Sequence, residues 1–240
     1  MYIKAIKTEK ISAKSITLYD FLDKYIPCIQ DNTVVAFSSK IISLIEDRVE
    51  LSSADINKLI SKEADYIGKQ KNQFGRYLTV KYNTFISAAG IDQSNGNGNL
   101  ILLPENPQKT AKVIYKYLSK KYNRYKFGVI ICDSRSTLLR IGAIGVAIGF
   151  HGFSPLKSYV GKPDIFGRKF QFENANIADS LAATAVFAMG EGNEQTPIAL
   201  IENIDSVSFS KAKPSKNELK NFYLSFEKDY FHQFYKNLFK

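Results

Sequence analysis

Three carboxylates stand where the 240-residue sequence predicts elements to end. Asp92 opens the Asn/Gly stretch IDQSNGNGN, and Asp133 closes the apolar run Phe127–Cys132 with the hydroxyl of Ser134 next to it. Glu191 follows Gly190 at the end of an Ala-rich segment. Carboxylates and hydroxyls at the ends of buried elements form an oxygen-only donor set, which suits magnesium or manganese and, through them, nucleotide phosphates. The same residues also read as ordinary turn and cap residues. Lys40, in FSSKIIS, follows a β-branched run, so Ser38, Ser39 and Lys40 can offer two hydroxyls and a point charge to phosphate, or simply start a solvent-facing helix. The stretch SYVGKPDIFGR can present the Arg168 guanidinium to a carboxylate or phosphate, or serve as a plain hairpin connection.

Other chemistries lack their residues. No Gly-x4-Gly-Lys-Ser/Thr loop, no Gly-x-Gly-x-x-Gly after a strand and no Gly-x-Ser-x-Gly elbow occurs. Ser-x-x-Lys occurs at Ser154/Lys157 and Ser208/Lys211, a pattern short enough to arise by chance. The histidines are His151, which could face a site after the Gly-rich segment, and His232, read as a surface residue of the terminal helix. With Cys28 and Cys132 both expected as buried free thiols, a structural zinc site and a disulfide framework are excluded.

The elements that must hold these residues alternate. Strands are expected at Tyr2–Ile6, Thr33–Phe37, Tyr77–Tyr82, Thr84–Ala88, Leu100–Leu103, Phe127–Cys132 and Pro197–Ile204. Helices are expected at Thr17–Tyr25, Ser53–Ile67, Lys109–Tyr122, Ile177–Met189 and, after the linker SFSKAKPSK, Asn217–Leu238. Gly142, Gly145, Gly149 and Gly152 punctuate an apolar segment and allow close backbone approach to a strand or a ligand. The Ala-rich helix lacks bulk and should pack closely against something. This irregular mixture predicts an α/β (α+β mixed) fold in one domain over residues 1–240, with 212–240 forming a C-terminal aromatic helix.

An apolar fraction of 45% and an aromatic fraction of 13% support a real core, and a net charge of +10 favours an anionic partner. The basic residues are spread along the chain rather than clustered with stacking aromatics, which disfavours a nucleic-acid-binding protein. The N-terminus lacks a signal-peptide core and no window suits a membrane span, so a cytoplasmic protein is expected.

Taken in order, VVAFSSKIISLIEDR, AAGIDQSN, NLILLPENP, VIICDS, GVAIGFHG, YVGKPDIFGR, IADSLAATAVFAMGEG and PIALIENI resemble the coenzyme F420:L-glutamate ligases, also called F420-0 γ-glutamyl ligases, over about residues 34–204. The resemblance implies a distinctive α/β fold forming an intertwined homodimer. It also implies GTP- or ATP-dependent formation of an amide between L-glutamate and a coenzyme carboxylate, through an acyl phosphate. Mg2+ or Mn2+ at two sites, with K+ as a further ion, would assist. By position, the resemblance makes Asp92, Asp133, Ser134 and Glu191 metal ligands. Ser39, Lys40, Asn95 and the 189–196 segment, with Met189, Gly190 and Gly192, become nucleotide contacts, and Arg140 and Arg168 substrate contacts. The pattern departs at Ser134, where the family usually has Thr, at Leu138 and Leu139, at Thr8–Ile11 in place of a Gly-Leu-Pro-Leu segment, and at Leu44. A folate is an alternative acceptor for the same chemistry, and an inactive homologue is disfavoured by the retained carboxylates.

Overall fold

The computed structural model describes residues 1–239. Strand β1 (Tyr2–Ile6) leads to helix α1 (Leu18–Tyr25), whose Thr17 cap accepts the Asp20 amide. Strand β2 (Thr33–Ser38) runs directly into α2 (Ser39–Ile45), and β3 (Val49–Glu50) follows. Helix α3 covers only Ile56–Glu63, capped by Asp55, rather than the expected Ser53–Ile67. It stops because Ala64 turns extended and the Asp65 amide bonds Val80 O, which recruits Tyr66–Lys71 as β4. Strands β5 (Tyr77–Lys81) and β6 (Thr84–Ser87) complete a three-stranded antiparallel sheet in the order β4-β5-β6. Strand β7 is shorter than expected, only Leu100–Ile101, and pairs with β3.

Helix α4 (Pro107–Tyr122) precedes β8 (Phe127–Ser136), which continues through Asp133 instead of ending there. The Gly-punctuated segment is β9 (Ala143–His151), antiparallel to β8. Strands β10 (Leu156–Ser158) and β11 (Asn174–Asn176) form an arm that holds the Arg168 turn. Helix α5 (Ile177–Met189) keeps the expected bounds, and β12 (Ile198–Glu202) returns to the main sheet.

The main sheet has the order β1-β12-β2-β8-β9, with β2 and β8 parallel and the other pairs antiparallel. The alternation of strand side chains sorts it into two cores. Val35, Phe37, Val129 and Ile131 meet α1 and α4 through Phe21, Leu22, Ile114 and Leu118. Val34, Ala36, Ile130 and Cys132 meet α5 through Ala178, Ala182 and Ala185. The small residues of α5 allow the close packing the sequence anticipated. A Cβ on Gly145 of β9 would lie 2.4 Å from the Ala182 carbonyl oxygen, and one on Gly149 would lie 2.4 Å from Pro107 O of α4. The glycines of β9 thus serve helix packing on both faces.

The single terminal helix over Asn217–Leu238 does not form. Helix α6 (Lys216–Phe222), started by a Ser215/Glu218 capping box, is followed by a 3-10 turn at Phe226–Lys228 and the short α7 (His232–Tyr235). The aromatic residues of this segment that pack inward serve two targets. Phe222 and Tyr223 pack with the α5 core, whereas Phe226, Tyr235 and Phe239 pack against Val80 and Phe85 of the small sheet. No straight helix could reach both. Cys28 is exposed, contrary to expectation, because it sits on the linker after α1, while Cys132 is buried in β8. Among the described residues no helix is long and apolar enough to cross a membrane.

Candidate functional site

Strands β2 and β8 run parallel, and ligand sites in α/β sheets lie beyond the carboxyl ends of such strands. Ser38 pairs with Cys132, so the residues that follow, Ser39 and Asp133, emerge side by side. The Ser39 hydroxyl, almost fully buried, donates to Asp133 Oδ1 at 2.6 Å. Ser39 therefore orients a carboxylate, a role the sequence did not show.

Helix α5 ends at Gly190, whose φ of 78° suits glycine and whose Cβ, if present, would strike the Glu194 carboxyl at 2.4 Å. Beyond it, Glu194 Oε2 accepts the Gly192 amide at 2.8 Å and Thr196 Oγ1 donates to Met189 O at 2.5 Å, closing the 189–196 segment into a compact loop. This loop carries Glu191 to Ser134, whose hydroxyl donates to Glu191 Oε2 at 3.1 Å.

Asp92 arrives from the small sheet. Ala88 and Ala89, both nearly fully buried, adopt φ values of 52° and 53°, a costly conformation for alanine. Thr79 holds that turn: its hydroxyl accepts the Ala89 amide at 2.7 Å and donates to Ile86 O at 2.5 Å. Asp92 then pairs backbone to backbone with Ile101. Lys40 Nζ reaches across to Asp92 Oδ2 at 2.8 Å and to Ser94 Oγ at 2.6 Å. Asn95 Nδ2 donates to Gly192 O at 3.2 Å, so the Asn/Gly loop touches the α5 loop.

These elements enclose a cleft of about 520 Å3 lined by Ser39, Lys40, Asn95, Asp133, Ser134, Met189, Gly190, Glu191 and Gly192. Asp92 sits behind Lys40, to which it is bonded. The sequence did not single out Ser94 or Glu194. Ser94 had a local signal, since Asp92 Oδ1 accepts the Ser94 amide two residues on, an Asx turn. The Thr8–Ser12 segment also lines the cleft, tied to the α5 loop by Thr8 N donating to Gln195 O at 2.8 Å.

Arg140 and Arg168 lie outside this cleft. Arg140 is exposed on the β8–β9 turn and Arg168 on the arm, where its amide donates to Asp164 Oδ1. His151 also stays away, buried edge-on against the Tyr115 ring. Burial, then the charges of Lys112 and Lys116, lowers its pKa to about 4. The Ser154 hydroxyl is held by Glu218 and Lys213, and Lys157 takes no part in that contact.

The two aspartates are tuned in opposite directions. Burial disfavours ionised Asp92, but the hydrogen bonds from Lys40 and Ser94 outweigh it and hold its pKa down to about 2. Burial dominates at Asp133 and pushes its pKa up to about 6, against the Ser39 hydrogen bond, the Ser134 amide and the Lys40 charge, with Glu191 adding repulsion.

Among the described residues no three His, Cys, Asp or Glu side chains form one closed cluster. Of the expected donors, Asp133, Ser134 and Glu191 line the cleft, whereas Asp92 is held by Lys40 and does not itself line it. All are oxygen ligands, and the destabilised Asp133 charge beside Glu191 is the electrostatic condition that a hard divalent cation relieves. The residues therefore fit such an ion.

Lys40→Met provides a test of this electrostatic balance. The depressed Asp92 pKa contributes stability above the unfolded value of 3.8, which is lost as pH falls toward 2. For a pair this exposed the contribution is about 1 kcal/mol after screening. In EDTA, the wild-type melting temperature should exceed that of the variant at pH 7, and the gap should close by pH 2. A gap independent of pH would contradict the assignment.

The F420-0:Gamma-glutamyl ligase family model matches residues 8–203. A protein of Methanococcus maripaludis named coenzyme F420:L-glutamate ligase is 34% identical over 202 residues, covering 80% of each chain. Its namesake in Methanocaldococcus jannaschii is 30% identical over 221 residues, covering 83% of this chain and 86% of its own. That of Methanosarcina acetivorans is 28% identical over 88% of this chain and 92% of its own. The cleft lies wholly within the matched residues, and the chain belongs to the F420-0:gamma-glutamyl ligase family.

Proposed function

We propose that this chain is a nucleotide- and divalent-cation-dependent γ-glutamyl ligase that joins L-glutamate to the carboxylate of a deazaflavin coenzyme precursor. The observation that carries the reading is the gathering of Lys40, Asp133, Ser134 and Glu191 in one cleft, with Asp92 paired to Lys40, in a member of this family. A carboxylate is a poor electrophile, so phosphoryl activation precedes amide formation. An acceptor carboxylate oxygen attacks the γ-phosphorus of GTP or ATP, and the bond to the nucleoside diphosphate breaks. The glutamate amine then attacks the acyl carbon, phosphate leaves, and the amine loses its proton.

Mg2+ or Mn2+ bound by Asp92, Asp133, Ser134 and Glu191 would neutralise the phosphates and polarise the transferred group. Lys40 adds fixed positive charge, Ser39 holds the orientation of Asp133, and the 189–196 loop with Asn95 walls the nucleotide. The positioned charges act inside a concave site, where electrostatic interactions are stronger than in bulk water.

A homodimer suits the surface. Leu139, Ile141, Ile165, Phe166, Phe172 and Phe187 are all at least 80% exposed, an apolar display that a second copy would cover. Arg140 and Arg168 stand on the same two projections, between Leu139 and Ile141 and just beyond Phe166.

Mass spectrometry of reaction mixtures tests the reading. Protein, L-glutamate, Mg2+ plus Mn2+, and GTP or ATP should yield a deazaflavin product heavier by one glutamyl unit. Addition to a reduced folate instead would move the acceptor to folate, consistent with the altered Thr8–Ile11 wall. No addition to either, with nucleotide bound, would overturn the assignment.

A further inference from the structure

The family match ends at residue 203, yet the chain continues across both halves of the molecule. One end of this continuation is fastened beside β9. Lys213 Nζ donates to Ser154 Oγ at 2.5 Å, Ser154 Oγ donates to Glu218 Oε1 at 2.7 Å, and Lys213 Nζ lies 3.1 Å from the same carboxylate oxygen. The Phe222 ring packs edge-on against Phe150 of β9, with centroids 5.0 Å apart. Strand β9 is hydrogen-bonded to β8, which carries Asp133.

The other end is fastened to the small sheet. Phe239 forms an antiparallel bridge with Gly68 of β4, and the Lys69 amide donates to Leu238 O at 2.7 Å. Asn83 Nδ2 donates to Leu224 O at 2.7 Å. Tyr235 and Phe239 are 6% exposed and pack with Val80, Phe85 and Phe226, the Tyr235 and Phe85 rings 4.8 Å apart. That sheet leads directly into the Ala88–Ala89 turn and so to Asp92, with Thr79 of β5 holding the turn.

We infer that residues 214–239 are a strap that positions the Asp92 segment against the Asp133 and Glu191 wall of the cleft, with Tyr235 and Phe239 as positioning residues. This inference rests on the proposed metal role of those carboxylates. The segment and the wall come from different sheets, and the strap is fastened to both. Loosening its far end frees the small sheet on the β4 side while leaving the main-sheet core, α5 and the near anchor untouched. A cation shared by the two would then bind more weakly, although chemistry at saturating cation would be preserved.

The experiment compares wild type with Phe239→Ala, Tyr235→Ala and the conservative Tyr235→Phe. Hydrogen exchange should rise in residues 66–101 of both alanine variants and remain unchanged in β2, β8 and α5. The Mn2+ concentration for half-maximal binding, read by electron paramagnetic resonance with GTP present, should increase by about 10-fold in the alanine variants, within the usual range of coupling between linked sites. Tyr235→Phe should restore both. If an alanine variant does not fold, Asn83→Asp cuts only the contact to Leu224 and should show the same pattern with a smaller shift of about 3-fold.

Exchange confined to residues 214–239, or a looser small sheet with unchanged Mn2+ binding, would overturn the strap. Neither readout needs turnover. An inactive wild type that binds Mn2+ would therefore defeat the ligase reading without deciding the strap, which the exchange and binding shifts decide by themselves.

Discussion

Asp133→Asn should abolish turnover while raising the melting temperature of the cation-free protein at neutral pH. The side chain keeps its volume, and its oxygen can still accept the Ser39 hydroxyl, which lies 2.6 Å from the native carboxylate. What it loses is the charge. In the native fold the carboxyl is held by burial at a pKa of about 6, above the ordinary value of 3.8. A raised pKa means that the group contributes its stability fully below 3.8 and loses it as pH rises through 6. The variant cannot ionise, so it should match wild type near pH 3.5 in EDTA and melt higher by a few degrees at pH 7.5. Adding Mg2+ and nucleotide should reverse the order, because only wild type gains ligand-linked stability. The expected loss in kcat is at least about 1,000-fold, comparable to removing a principal electrostatic stabiliser of a transition state. Steady-state kinetics with paired thermal melts provide the check. Full activity at ordinary Mg2+ would contradict the proposed cation-binding role of Asp133.

Gly145→Val should be the most damaging substitution away from the carboxylates. A Cβ at this position would lie 2.4 Å from the Ala182 carbonyl oxygen and 2.7 Å from Val186 Cγ2, and the first obstacle is helix backbone that cannot step aside. Helix α5 must move outward, opening the packing of Ala178, Ala182 and Ala185 against the sheet. The displacement also strains the Asp179 bond to the Ala147 amide at 2.9 Å and shifts Glu191, which hangs from the end of the same helix. Overpacking on this scale costs about 3 kcal/mol or more, a large part of a typical domain's stability. A drop of about 10 °C in melting temperature is expected, with weaker Mn2+ binding in whatever remains folded. Gly142→Ala is the matched control. Its φ of 101° carries backbone strain, but no atom lies within 4 Å of the added Cβ. Its cost should be about 1 kcal/mol. Equal losses in the two variants would contradict the packing role assigned to β9.

Much of the scaffold was legible from local pattern because local pattern and burial agree there. The β-branched run at Thr33 became a strand buried on both faces, and the Ala-rich helix from Ile177 to Met189 kept its bounds because Asn176 caps one end and Gly190 stops the other. The failures share a cause. The helical spacing of Leu219, Phe222, Tyr223 and Phe226 was real, but Phe222 and Tyr223 joined one core and Phe226 another, and tertiary packing overrode periodicity. The helix expected through Ile67 was cut short for a similar reason, since Tyr66–Lys71 is worth more as a strand paired with β5.

Within the site, the residue types were readable but their partnerships were not. The Ser39 hydroxyl, expected to meet nucleotide, also donates to Asp133, ninety-four positions away. Lys40 and Asp92 meet across fifty-two positions. Such pairings depend on the parallel register of β2 with β8 and on the route of the small sheet, neither of which has a signature in the residues themselves. Arg140 and Arg168, singled out by chemical type and resemblance, lie on exposed projections outside the cleft of the same chain.

Isotope transfer from the acceptor carboxylate to phosphate would test the acyl-phosphate route. The acceptor coenzyme would be labelled with 18O in its carboxylate and incubated with the protein, L-glutamate, Mn2+ and GTP, and the released phosphate examined by mass spectrometry. If the acceptor carboxylate is phosphorylated and then displaced by the glutamate amine, one 18O must appear in the phosphate for each amide formed. Amide formation with unlabelled phosphate would contradict the acyl-phosphate route proposed for this cleft.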